Sequence, residues 1–384
     1  MNRDKRQENS ISRQADGRAG APGPAPVRPR GRCDHPLIVR CGAFGDMVLL
    51  TALIRELHAR WRLPVDVVTS GPWSEPLLRG QPGIGEVIAL RSRKTPYWLA
   101  ADQRRLVRWL RTRGASAIWL CDDSGEMRAL LARAGVPPGA IVDVHDHPLA
   151  PGEHATGQWQ RIAAFTPWLW SDREPPGEFT GLAGSELVVP EGEAAALGAW
   201  LERRGLAGAP LIVFQAGNKR TMRRGLRRLA PNHKYWPNER WAAVIREVCA
   251  DHPSARIVLA GTGPEYALNR EIAALAGGDR IHNAADDLPI PRLLALLARA
   301  EAMISVDSGP AHAAAAVGCP LIVLFGKASP TLYRPLGTAG APVRLVRREA
   351  GGEGSMLAIE VADVLAQWRR LVEEINSAPS SCRR

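Results

Sequence analysis

The 384-residue chain has no apolar run near the ~18 to 20 residues that a membrane-spanning helix needs. Its six cysteines (33, 41, 121, 249, 319 and 382) show no CxxC spacing and no Cys/His cluster. Neither a disulfide framework nor a zinc site is therefore expected, and the cysteine usage suits a reducing, cytoplasmic location. The first 30 residues lack the apolar segment of a secretory signal. They are polar and rich in Arg, Pro and Gly, so residues 1–34 read as a disordered basic arm. Asp4, Glu8 and Asp16 argue against a transit peptide. Phe and Tyr are scarce, at five and four, and most of the twelve Trp fall in helix-like stretches. That is poor material for stacking bases, and no nucleic-acid partner is expected.

Against these absences stand 45% hydrophobic and 23% charged residues, the composition of a soluble globular protein long enough for two domains. The net charge is +11, of which residues 1–32 supply +5 from eight Lys/Arg and three Asp/Glu. The remaining excess suits an anionic partner such as a nucleotide sugar or acidic glycolipid, or is a plain solvated surface.

Short apolar runs alternate with amphipathic, helix-length segments. "PLIVRC" (36–41), "VDVVTS" (65–70), "EVIAL" (86–90), "SAIWLC" (116–121) and "AIVDV" (140–144) read as buried strands, with helices at 46–60, 98–113 and 125–134 between them. A second series follows: strands at 210–217, 255–263, 301–309 and 320–326, helices at 238–250, 264–276, 289–299 and 310–317, then a last helix over 355–376. The fold class is α/β, with two Rossmann-like parallel-sheet domains facing a central cleft. The expected boundaries are 35–184 for the first domain, 185–208 for a linker that opens on a short strand, 209–350 for the second domain, and 351–384 for a terminal helix and tail.

Four stretches carry chemistry. In "CGAFGDMVLL" (41–50), Gly42 and Gly45 are expected to let the chain turn sharply at a strand's carboxyl end, where open α/β sheets bind ligands. Asp46 then reads either as a helix cap or as a base aimed at an incoming hydroxyl. In "SVDSGPAHAAAAVGC" (305–319), a strand ends at Asp307, and Ser308 and Gly309 open an Ala-rich helix whose first turn holds Pro310 and His312. Such a helix start suits a diphosphate, although an ordinary capped helix would look the same. "NKRTMRRGLRRLAPNHKYWP" (218–237) places seven Lys/Arg between Lys219 and Lys234 after a buried strand, where they suit phosphates or form a solvated loop. "LAGTGPEY" (259–266) lacks the third glycine of a dinucleotide fingerprint. Its Glu265 either binds a ribose hydroxyl pair or complements a helix dipole.

In this order and spacing, "LIVRCGAFGDMVLLTALIREL", "HKYWPNERWAAV", "VLAGTGPE" and "SVDSGPAHAAAAVGCPLIVLFG" resemble glycosyltransferase family 9, the ADP-heptose:lipopolysaccharide heptosyltransferases, across residues 36–376. The resemblance implies a GT-B fold whose C-terminal domain holds most of the nucleotide sugar. It implies Asp46 as general base, Lys234 at the donor phosphates, and Asp307, Ser308, Gly309 and His312 against the diphosphate and sugar. It further implies Glu265 at the ribose, with Gly42 and Gly45 shaping the acceptor-side turn. Ser308 stands where threonine is commoner, and the basic loop is longer and richer in Arg than the family suggests. The scattered cysteines do not fit the branch that carries a cysteine metal finger. The reaction implied is a metal-independent, inverting transfer of heptose from ADP-heptose, a substrate, to a lipopolysaccharide core or related glycan acceptor, with no resident cofactor. Peripheral contact with anionic inner-membrane lipid through the basic arm accompanies that expectation. The alternatives are another donor or acceptor on the same fold, and a sugar-nucleotide epimerase.

Overall fold

A computed structural model describes residues 35–113, 116–218 and 233–377, and it places the apolar runs in two separate parallel sheets. The first contains β1 (Leu37–Val39), β2 (Val65–Ser70), β3 (Ile84–Leu90), β4 (Ile118–Leu120) and β5 (Ile141–Asp143), in the order β3-β2-β1-β4-β5. The second contains β6 (Leu211–Gln215), β7 (Arg256–Leu259), β8 (Ile281–Asn283), β9 (Ala302–Val306), β10 (Leu321–Phe325) and β11 (Val343–Arg347), in the order β11-β10-β9-β6-β7-β8. Every pairing within the two sheets is parallel. The two Rossmann-like parallel-sheet domains expected from the alternation are observed, in keeping with the GT-B fold that the resemblance implied.

Strand order reverses between β1 and β4 in the first sheet and between β6 and β9 in the second. Helices diverge to opposite faces at such a point and leave a crevice at the carboxyl ends of the strands. The central strands are buried along their whole length and apolar except at Gln215 and Ser305, as burial on both faces favours.

The sheets meet through two helices. Phe44–Trp61, which follows β1, lies against Gly309–Ala316, which follows β9, and one apolar cluster runs through both. The close approach needs small residues: Ala311 and Ala313–Ala316 are all buried, and a Cβ at Gly309 would stand 2.5 Å from Cδ1 of Phe44.

The structure departs from the sequence expectations in a few places. The short strand expected at the start of the 185–208 linker does not form. Ser185 instead makes a single bridge to Gly337, and Leu187 donates to the Ala316 carbonyl at 3.2 Å. The linker's helix, Glu193–Arg203, packs on Ile290–Arg299, and Trp200 donates to Asp287 at 2.7 Å, so this helix joins the C-terminal half. Strands β8 and β11 were not expected, nor was the two-stranded hairpin Glu349–Ala350 and Glu353–Gly354. The last helix begins at Val361 and buries Trp368 and Leu371 in the cluster that holds Trp236 and Trp241. The basic arm and six of the seven cations of the 219–234 loop lie outside the described residues.

Candidate functional site

Asp46 caps its helix and also lines the cleft. The chain leaves β1 with Arg40 donating its backbone N–H to Val68 and Cys41 donating its own to the Asp122 carboxylate at 2.7 Å. Helix Phe44–Trp61 then starts with extended backbone at Ala43, whose N–H donates to Asp46 Oδ2 at 2.7 Å. Asp46 therefore caps from the third helical position, where a carboxylate also complements the helix dipole. Its Oδ1 stands 3.9 Å from the Arg40 guanidinium, and 39% of the side chain is open to the cleft.

Gly42 and Gly45 are required for a reason other than the one expected. Neither has a positive φ. A Cβ at Gly42 would stand 2.6 Å from the Asp46 Cβ, and one at Gly45 would stand 3.0 Å from His312 Cδ2. Close approach, not backbone freedom, is what these two glycines allow.

Across the cleft, Lys234 Nζ donates to Asp307 Oδ2 at 2.6 Å and to the Asp307 carbonyl at 3.0 Å. His312 Nε2 lies 3.9 Å from the other Asp307 oxygen. His312 is buried, and its Nδ1 has no hydrogen-bond partner among the described residues. Burial drives its pKa down to about 4, against the pull of Asp307, so the ring is neutral. The Ser308 hydroxyl does not cap its helix; it shares a hydrogen bond with Ser305 Oγ at 3.1 Å. Pro310 in the first turn has no N–H to offer, the Gly309 and Ala311 N–H groups precede the first intrahelical bond, and the His312 N–H donates to the Ser308 carbonyl at 3.4 Å.

Glu265 closes the far end. It sits in a short 3₁₀ turn after β7 and accepts from the Thr262 N–H at 2.9 Å and the Thr262 hydroxyl at 3.0 Å. Gln215, at the end of β6, donates to its other oxygen at 3.4 Å. Burial lifts the carboxyl pKa to about 7, opposed by the two Thr262 hydrogen bonds.

These groups share one cleft of about 670 Å³. Asp46, Gly45, Lys234, Glu265, Asp307, Ser308, Gly309 and His312 all line it, together with Phe44, Trp73 and Tyr333. Gly42 stands behind Asp46, its carbonyl accepting from the Trp73 indole at 3.3 Å. Asn218 and His233, the residues flanking the undescribed part of the basic loop, also reach the cleft. A second recess of about 360 Å³ shares Asp46 and is lined by Arg40, Asp123, His145, Gln158, Trp159 and Tyr333, among others. None of these last six was singled out in the sequence. Arg40 lies 5.7 Å from the Trp159 ring, and its Nη1 donates to the Cys121 carbonyl at 2.6 Å. The recess is formed by residues from four separate stretches that only the fold brings together. The one local signal was the cluster of His145, His147 and His154 in a segment otherwise rich in Pro, Gly and Trp.

The family model for glycosyltransferase family 9 (heptosyltransferase) matches residues 225–355. Lipopolysaccharide heptosyltransferase 2 of Salmonella typhimurium is 23% identical over 328 residues, 81% of this chain and 88% of that protein. Lipopolysaccharide heptosyltransferase 3 of Escherichia coli is 32% identical over 158 residues, 38% of this chain and 46% of that protein. Over residues 225–355 the chain is similar to glycosyltransferase family 9. Solved structures agree on the fold. The E. coli ADP-heptose lipopolysaccharide heptosyltransferase II covers 89% of this chain and all of its own, at 22% identity and a TM-score of 0.68. The family 9 glycosyltransferase of Veillonella parvula covers 89% of this chain and 98% of its own, at 16% identity and a TM-score of 0.71. The matched family segment contains Lys234, Glu265, Asp307, Ser308, Gly309 and His312, while Asp46 precedes it.

Proposed function

We propose that this chain is a cytoplasmic, inverting heptosyltransferase that moves a heptose from ADP-heptose to a lipopolysaccharide core or related glycan acceptor. One observation carries the reading: a single cleft places the part-exposed Asp46 of one sheet opposite Lys234, Asp307, Ser308 and His312 of the other. The E. coli relative whose structure shares the fold is named for ADP-heptose, and the curated relatives are named for lipopolysaccharide.

In the proposed reaction, the acceptor lies in the recess beside Arg40 and Trp159, with its hydroxyl toward Asp46. Asp46 takes the hydroxyl proton as that oxygen attacks the anomeric carbon, and the bond to the ADP oxygen breaks on the opposite face. One displacement inverts the anomeric centre. The Lys234 ammonium and the start of helix Gly309–Ala316 stabilise the charge that gathers on the leaving diphosphate, without a divalent ion. Asp307 holds Lys234 at that position before the donor arrives. Neutral His312 lies beside both reacting sides, its ring within van der Waals reach of Gly45. Glu265 accepts from the ribose hydroxyls of the nucleotide.

The test is calorimetric binding of a panel of nucleotide sugars to the native chain, followed by transfer assays with whichever binds. Clear preference for ADP-heptose fixes the donor. Failure to bind any nucleotide sugar would sink the reading, and turnover of a nucleotide sugar without an acceptor would replace transfer with epimerisation.

A further inference from the structure

Among the described residues, the most exposed large apolar side chain is Trp98, at 74%, and its neighbour Leu99 is 59% exposed. They sit on the turn between β3 and the helix Ala101–Thr112, and that turn is firmly built. Leu99 and Ala100 donate their N–H groups to the Pro96 carbonyl at 2.9 and 3.2 Å. The buried Gln103 amide donates to the carbonyls of Ser92 and Thr95, each at 2.9 Å. Arg104 donates to the Trp98 carbonyl at 2.6 Å. An indole and an isobutyl group are thus held out in water on a pinned backbone, with no role in the core below them.

Their surroundings are cationic. The helix buries Gln103, Leu106, Val107 and Leu110, which leaves Arg105, Arg108 and Arg111 exposed, with the half-buried Arg104 at their flank. Arg91 and Lys94 stand exposed on the preceding loop, and the Arg133 guanidinium lies 4.6 Å from the Tyr97 ring. The nearby acids are already engaged: Asp102 accepts from the Arg91 N–H at 2.7 Å and Glu86 from the Trp109 indole at 3.0 Å. Glu126, at the start of the next helix, is half-buried.

We propose that Trp98 and Leu99 insert into the interface of an anionic lipid bilayer while the arginine face of Ala101–Thr112 lies along the headgroups. Tryptophan favours the level where water meets lipid, and arginine and lysine are drawn to anionic headgroups. A bare nucleic-acid or acidic-protein site would need the arginines but not an exposed Trp-Leu pair on the same turn. The loop also has a consequential position. It leaves the carboxyl end of β3, and Arg93 reaches from it to Asp122 at 2.9 Å, beside the strand end that leads to Asp46. A bilayer held there lies at the edge of the first sheet that carries the cleft, whichever sugar that cleft transfers.

The experiment is co-sedimentation of the full chain with vesicles of mixed phosphatidylglycerol and phosphatidylcholine, and with phosphatidylcholine alone. Two paired variants are compared with the native protein: Trp98→Ser with Leu99→Ser, and Arg105→Glu with Arg108→Glu. The basic N-terminal arm is the same in all three, so differences report the folded surface. Each pair is expected to weaken partitioning to anionic vesicles by about tenfold or more. The arginine pair alone should flatten the salt dependence. Unchanged partitioning of both variants, with thermal melting confirming the native fold, overturns the proposal. So does loss confined to the arginine pair, together with equal binding of the native chain to duplex DNA, which makes the surface a general polyanion site.

Discussion

On the C-terminal wall of the cleft, Lys234, Asp307 and His312 are linked at 2.6 and 3.9 Å, with Asp307 and His312 buried. On the N-terminal wall, Asp46 faces one guanidinium at 3.9 Å and leaves 39% of its side chain open. The first wall is set before any ligand arrives, as suits a diphosphate whose charge is the same in every turnover. The second fixes one Asp46 oxygen on the Ala43 N–H at 2.7 Å and leaves part of the carboxylate open, as the proposed base would need. Preorganised charge stabilises a transition state without reorganisation, whereas a base needs access first and geometry second.

The largest expected effect comes from breaking the open wall. Asp46→Asn removes the proton acceptor, and turnover should fall by about 10²- to 10⁴-fold. Asparagine can still accept the Ala43 N–H, so only the helix-dipole term of about 0.3–1 kcal/mol is lost and the melting temperature should barely move. Near-normal turnover in a folded variant would reduce Asp46 to a cap. Donor affinity should stay close to native, because the diphosphate is assigned to the other wall.

Breaking the set wall should look different. Lys234→Ala removes a charge-assisted contact worth roughly 1.5–3 kcal/mol, and ADP affinity should drop by about that amount. It also leaves the buried Asp307 carboxylate without its cation, so stability should fall as well, which Asp46→Asn does not predict. ADP binding unchanged by calorimetry would move the diphosphate elsewhere. The contact between the walls offers a third, smaller break. Gly309→Ala puts a methyl 2.5 Å from Phe44, and overpacking of this kind costs about 1–3 kcal/mol. If melting shows no loss, the two helices are free to separate.

How much of this was legible from the sequence also divides along the chain. The central strands were plain because β1, β6, β9 and β10 are apolar runs broken only by Gln215 and Ser305, as strands buried on both faces tend to be. β11 escaped because "VRLVR" alternates arginine with aliphatics, and β8 because "IHN" is short and only half-buried. The C-terminal wall reads almost linearly, since Asp307, Ser308, Gly309 and His312 are a contiguous strand-to-helix turn. The second recess does not, because Arg40, His145 and Trp159 come from a strand end, a 3₁₀ turn and a helix that only the sheet order brings together. Gly42 and Gly45 were found for the wrong reason: a glycine's spacing does not say whether its φ or its missing Cβ matters, and here it is the Cβ.

The subtlest test compares two buried titratable groups on the same wall, Glu265 and His312. The Glu265 carboxyl is raised to about 7 from 4.5 by burial, so the fold holds a proton that the unfolded chain has released. Its contribution is fully present below about pH 4.5 and is lost as pH rises through about 7. His312 is lowered to about 4 from 6.5 by burial, with Lys234 and His154 acting the same way and Asp307 and Asp46 opposing. Its contribution is fully present above about pH 6.5 and is lost as pH falls through about 4. Over the shared window the two slopes oppose each other, so in the native protein their net effect on melting between about pH 5 and pH 7 should be small. Each single variant unmasks the other group. Glu265→Gln should leave a protein that gains stability from about pH 5 to pH 7, and His312→Gln one that loses it over the same range. Melting curves of the three proteins that run parallel with pH would mean that neither group titrates where its burial places it.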